Sequence, residues 1–60
     1  MKVYVNDREV NLTPGMTVKQ AVVAAALMEE IKQGKKVYDD SGNEIGLGGA
    51  LEEGVKIYVR

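Results

Sequence analysis

Apolar and polar residues alternate near both ends of the chain. In Lys2-Val3-Tyr4-Val5-Asn6 the valines share one side and Lys2, Tyr4 and Asn6 the other, the period-two pattern of a half-buried strand. Asn6-Asp7-Arg8 supplies turn chemistry, and Val10 and Leu12 resume the alternation, so the opening reads as a hairpin that Thr13-Pro14-Gly15 ends. The period then changes. Thr17-Val18-Lys19-Gln20 matches a capping box, and from it a helix is predicted to about Gln33, where Gly34 can take the left-handed closing position. Ala21, Ala24, Met28 and Ile31, flanked by Val18, Ala25 and Leu27, form a broad apolar stripe for a sheet to cover. Lys32, Lys35 and Lys36 complement the negative end of that helix.

Beyond the helix, Lys36 to Tyr38 and Glu44 to Gly46 flank the turn formers Asp39-Asp40-Ser41-Gly42-Asn43, which predicts a second hairpin with short arms. Residues 46–51 are irregular, with Leu47 and Leu51 as core anchors and their conformation, loop or short helical turn, left open. After the Glu52-Glu53-Gly54 turn, Val55, Ile57 and Val59 alternate with Lys56, Tyr58 and Arg60 in a final strand. The predicted order is ββαβββ: an α+β fold with a mixed sheet of four to five strands on one helix, in a single domain over residues 1–60.

Size supports this picture. A chain of 60 residues buries only about 60% of the surface its unfolded form exposes, so one modest core is the limit. There is no Cys and no His, which removes disulfides, thiolate clusters and the commonest zinc ligands from the means of holding it together. Eight basic and nine acidic side chains leave a formal net charge of −1, and no global field draws the chain to nucleic acid or an anionic membrane. The longest apolar run, Ala21 to Met28, is eight residues, well short of the roughly 20 of a spanning helix. No signal-peptide pattern opens the sequence, and a cytoplasmic location is the default expectation.

The opening hairpin followed by Pro14-Gly15-Met16-Thr17-Val18 and a helix resembles the start of ubiquitin-like β-grasp proteins, above all the bacterial sulfur carriers and the ferredoxin-like β-grasp domains. Leu51-Glu52-Glu53-Gly54-Val55-Lys56-Ile57-Tyr58-Val59 looks like the leucine, acidic-glycine turn and last strand that close the same group. The resemblance implies a last strand parallel to the first in the sheet centre, with the helix crossing one face. Sulfur carriers act through a C-terminal Gly-Gly; the pair here, Gly48-Gly49, is internal and the sequence reads to Arg60, so no active residue is carried over. The ferredoxin branch needs cysteine thiolates for its cluster, which this chain lacks.

Two surfaces stand out as candidates. Tyr4, Tyr38 and Tyr58, the only aromatic residues, are out of phase with the apolar set and should share the open face of the sheet with Lys2, Lys56 and Arg60. Tyrosine beside cations suits protein contact and, less often, base stacking. The plainer account is that half-exposed tyrosine favours strands while cations keep the face hydrated. Val22, Val23 and Ala26 lie off the main helix stripe beside Lys19, Glu29, Glu30 and Gln33, a second contact such as a homodimer seam, or merely small apolar residues tolerated on a surface helix.

Other patterns carry less. Asp39, Asp40, Ser41, Asn43 and Glu44 are hard oxygen ligands, but the EF-hand register anchored on Gly42 puts Val37 where the first acidic ligand belongs, leaving a polar turn. Gly46, Gly48 and Gly49 would need a glycine at Leu51 for a dinucleotide loop. Ser41 has no evident paired base. The expectation is therefore a non-catalytic module without cofactor or metal that docks an unknown protein through the tyrosine face, as a monomer or weak homodimer. Alternatives are a sulfur-carrier-like protein whose Gly-Gly tail lies beyond Arg60, and weak RNA binding, which the balanced charge disfavours.

Overall fold

A computed structural model describes all residues, Met1–Arg60. The chain is α+β: β1 (Lys2–Val5), β2 (Arg8–Asn11), α1 (Val18–Ala24), α2 (Met28–Lys32), β3 (Val37–Asp39), β4 (Glu44–Ile45) and β5 (Lys56–Val59). The strands form one mixed five-stranded sheet in the order β2-β1-β5-β3-β4. β1 pairs antiparallel with β2 and parallel with β5, and β5 pairs antiparallel with β3.

The first hairpin turns in two residues. Asn6 and Asp7 have φ of 51° and 67°, the pair of positive values that a type I′ turn requires and that matches the twist of the flanking strands. Asn6 does more than turn the chain: its side-chain Oδ1 accepts from the Val59 amide at 2.9 Å and its Nδ2 donates to the Val59 carbonyl at 3.4 Å. The amide thereby continues the parallel β1–β5 pairing past the end of β1. At the other end of β5, the Gly54 amide donates to the Lys2 carbonyl at 2.7 Å, and the Glu53 carboxylate accepts from the Lys2 amide at 3.1–3.2 Å. Gly54, at φ 81°, occupies the third position of a turn closed by the Val55 amide on the Glu52 carbonyl at 3.1 Å, where glycine carries no steric cost.

The single helix expected from Thr17 to Gln33 is two helices. Ala26 has φ 61°, the Ala26 amide donates to the Val23 carbonyl at 3.0 Å and the Leu27 amide to the Val22 carbonyl at 3.0 Å. These are the paired bonds of a Schellman stop, with alanine where glycine is usual. An unbroken helix over residues 17–33 would run about 25 Å in one line. Stopping at Ala25 lets Leu27, Met28 and Ile31 turn back and pack on the core. α2 closes in the same way, this time with Gly34 at φ 103° and the Lys35 amide on the Glu30 carbonyl at 3.0 Å. Left-handed alanine costs about 1–2 kcal/mol that glycine avoids. Ala26→Gly should therefore stabilise the chain by about 1 kcal/mol after the entropy lost by glycine, read as a higher melting temperature by circular dichroism.

The break also shifts the phase of the buried stripe. The core is Val3, Val5, Val10, Val18, Ala21, Val22, Ala25, Val37, Ile57 and Val59. On α1 the buried positions are thus Val18, Ala21, Val22 and Ala25, whereas Ala24, assigned to the stripe from the sequence, is exposed. Val22 corrects the sequence reading in the opposite sense. It is fully buried and cannot belong to an outer contact; Val23 and Ala26 do face outward. Arg8 secures the helix end, its Nη1 donating to the Ala25 carbonyl at 3.3 Å, a cation at the negative terminus. No helix is long and apolar enough to cross a membrane.

Candidate functional site

Alternation along the strands divides the sheet cleanly. Val3, Val5, Val10, Val37, Ile57 and Val59 point toward the helices, so the intervening residues point away from them. The register places Tyr4 beside Lys56 across the β1–β5 pair, and Tyr38 opposite Tyr58 across the β3–β5 pair. Lys2 and Glu9 lie on the same face at the β1–β2 side, where their charged groups are 3.7 Å apart. On the β3–β4 side, Lys36 Nζ is 3.7 Å from the Glu44 carboxylate. Lys36 therefore serves this face and not the helix end to which the sequence assigned it. Lys32 and Lys35 do stay with the helix, at 3.8 and 3.6 Å from Glu29 and Glu30.

Arg60 lies just past β5, yet it is firmly placed. Its amide donates to the Lys36 carbonyl at 2.9 Å and its carbonyl accepts from the Lys36 amide at 3.0 Å, extending the β3–β5 ladder by one pair. The guanidinium carbon is then 5.6 Å from the Tyr38 ring centroid and 5.5 Å from that of Tyr58, within cation–π range of both. Tyr4, Tyr38 and Tyr58 are each partly exposed. All six residues singled out from the sequence, Tyr4, Tyr38, Tyr58, Lys2, Lys56 and Arg60, thus occupy one face that no helix covers. Sequence reasoning missed Lys36, Glu9 and Glu44 on this face, although the same parity rule reaches them once the register is known.

The glycine-rich segment has another task. The Val18 amide donates to the Gly49 carbonyl at 3.0 Å and the Lys19 amide to the Leu47 carbonyl at 2.8 Å, so residues 47–49 cap the first turn of α1 with backbone. Thr17 and Ala50 form an isolated antiparallel bridge beside it. Gln20 completes the start of the helix, its Oε1 accepting from the Thr17 amide at 2.9 Å and from the Thr17 hydroxyl. Gly49 is closely packed: an added Cβ would stand 3.1 Å from the Gly46 carbonyl oxygen and 3.4 Å from Val18 Cγ2, whereas at Gly48 it would meet nothing within 4 Å. Gly49→Ala is accordingly expected to cost about 1–3 kcal/mol by urea denaturation, and Gly48→Ala less than about 0.5 kcal/mol.

The acidic turn is likewise built for shape. Asp39 Oδ1 accepts from the Ser41 amide at 3.0 Å and from the Asn43 amide at 2.9 Å, while the Gly42 amide donates to the Asp39 carbonyl at 3.1 Å. The Asn43 amide above all holds the Asp39 carboxyl below its usual range; desolvation opposes it, and the Ser41 amide, the Asn43 side chain and the Gly42 amide add to the lowering. These oxygens serve the turn, in the manner of an Asx motif.

Two shallow surface grooves complete the topography. One, of about 280 Å³, lies between α2 and the β3–β4 edge and includes Ile31, Val37, Ile45 and Leu47. The other, of about 440 Å³, lies between α1 and the segment that follows β2, and includes Leu12, Met16, Val23 and Ala24. The chain matches no protein-family model, no curated protein and no solved structure.

Proposed function

We propose that this chain is a β-grasp domain acting as a non-catalytic interaction module, which docks an acidic protein surface on its open sheet face. The observation that carries this reading is the convergence of every aromatic residue on one uncovered face, with Arg60 lying over the rings of Tyr38 and Tyr58. For the β-grasp assignment, support comes from β5 running parallel beside β1 in the centre of the sheet, with α1 crossing the opposite face.

Charge decides the kind of partner. The face carries Lys2, Lys36, Lys56 and Arg60 against Glu9 and Glu44, and both carboxylates are already within 3.7 Å of Lys2 and Lys36. Lys56 on β5 and Arg60 just past it flank Tyr58, and neither is in an ion pair. Tyrosine and arginine are the side chains that most often anchor interfaces, since they bury much area for little lost rotamer freedom. Complementary acidic groups would steer the encounter and set its salt dependence.

The test is a pull-down from the source cells with immobilised wild type and a Tyr4→Ala, Tyr58→Ala double variant, both checked for folding. Partner recovery should fall by at least tenfold in the double variant and decline with added salt. A folded double variant that keeps full partner binding would sink the proposal.

A further inference from the structure

We infer that Asn6 is a positioning residue for the tyrosine face: its side-chain amide, by gripping Val59, holds the end of β5 in the sheet and sets the Arg60 guanidinium on the rings of Tyr38 and Tyr58. The placement stands on the geometry of this chain alone. Its value for docking rests on the interaction module proposed above.

The first observation is the direction of the backbone groups along β5. Tyr58 and Arg60 turn theirs toward β3: Arg60 exchanges bonds with Lys36 at 2.9 and 3.0 Å, and Tyr58 pairs with Tyr38 one step earlier in the same phase. Val55, Ile57 and Val59 turn theirs toward β1. The Val55 carbonyl accepts from the Tyr4 amide at 2.9 Å, and the Ile57 carbonyl from the Asn6 amide at 3.0 Å. The next bond of this ladder would run from the Val59 amide to a main-chain carbonyl at position 6. By then β1 has ended at Val5, and Asn6 lies in the hairpin turn at φ 51°. Asn6 Oδ1 takes the place of that carbonyl, 2.9 Å from the Val59 nitrogen, and Nδ2 adds a bond to the Val59 carbonyl at 3.4 Å. One side chain thus turns the hairpin and replaces the strand that the hairpin removes.

The second observation is what this strand end carries. Tyr58 precedes Val59 and Arg60 follows it, and the Arg60 guanidinium stands 5.6 and 5.5 Å from the ring centroids of Tyr38 and Tyr58. It is in no ion pair. A cation–π contact at an exposed site is too weak to order a strand end unaided. Lys36 holds Arg60 from the β3 side, and the Asn6 amide holds its neighbour Val59 from the β1 side. With the second grip removed, one side of the strand end is free, and strand ends held on one side open most readily. Arg60 then leaves the rings. A guanidinium already fixed there surrenders less freedom when an acidic group docks, and that is what Asn6 contributes to binding.

Asn6→Gly isolates the grip, because glycine accepts the positive φ of the turn and lacks only the side-chain amide. In the wild type, the two rings should shift the Arg60 δ-methylene protons upfield of their free-peptide position in the NMR spectrum. Asn6→Gly should remove most of that shift and speed exchange of the Val59 amide by at least about tenfold, with the melting transition still cooperative. Partner recovery in the pull-down should fall about threefold to tenfold. Asn6→Asp keeps the acceptor for the Val59 amide and loses the donor to its carbonyl, so its Arg60 shift should lie between the two, and it decides the matter if the glycine variant does not fold. Ile57→Val is the control for general loosening, since it weakens the core without touching the grip, and should leave the Arg60 shift in place. A folded Asn6→Gly protein with the full shift overturns the inference. So does an Ile57→Val protein that loses as much of it. Loss of the shift in Asn6→Gly with undiminished partner recovery upholds the placement and counts against the docking role of Arg60 alone.

Discussion

A Val22→Lys protein is expected to be unfolded at room temperature, while Val23→Lys, one residue away, stays within about 0.5 kcal/mol of the parent. The two residues are identical in chemistry and adjacent on α1, so only their direction distinguishes them. Val22 is fully buried among Val3, Val5, Ile57 and the rest of the core, and Val23 is 54% exposed. An ammonium forced into the first site loses its hydration without a partner, an effective cost of several kcal/mol even after relaxation. A chain of 60 residues has roughly 3–9 kcal/mol of stability in total, at 0.05–0.15 kcal/mol per residue. The core substitution therefore consumes most or all of it. Far-ultraviolet circular dichroism and urea titration of both proteins decide the matter. If Val22→Lys melted normally and Val23→Lys unfolded, the helix would present the other face to the sheet.

Ile57→Ala is expected to lower the melting temperature by roughly 10–30 °C, following a loss of about 2–5 kcal/mol. Ile57 lies on the strand with neighbours on both sides, beside Val5 of β1 and opposite Asp39 of β3, and it is fully buried. The cost follows from its size and burial, since Ile57 is the largest fully buried side chain of the core. Ile57→Val removes one methylene and should cost only about 0.5–1.5 kcal/mol. Thermal melts of the three proteins give the series; equal melting temperatures for wild type and Ile57→Ala would mean that β5 is not the centre of the core.

Much of this architecture was legible because it depends on local pattern. Period-two alternation located β1 and β5, Asn6-Asp7 marked the hairpin turn, and Gly34 marked the end of the second helix. Parity alone put Tyr4, Tyr38 and Tyr58 on one face, and the register agrees. The helix break was not legible. Ala21 to Met28 contains no glycine, proline or turn-forming residue, and the stop falls on Ala26, a residue with no turn preference of its own. The break brings Leu27, Met28 and Ile31 back against the core, a tertiary contact that no local sequence pattern announces. Val22 was misassigned for the same reason, since extending the stripe through Met28 and Ile31 as one helix rotates its phase. The cap supplied by residues 47–49 was hidden too, because its acceptors are backbone carbonyls, which no side-chain pattern announces. Arg8 could have been found: a cation at the start of β2 on the core-facing parity has few places to go except a helix end.

The central claim is that the tyrosine face, and not the helical side, meets the partner. It is tested most directly by tyrosine-selective chemical modification of the complex retained in the pull-down, with mass mapping of each site. The expected result is that Tyr4, Tyr38 and Tyr58 react in the free chain and become protected together in the complex. Undiminished reactivity of all three with the partner bound would contradict it.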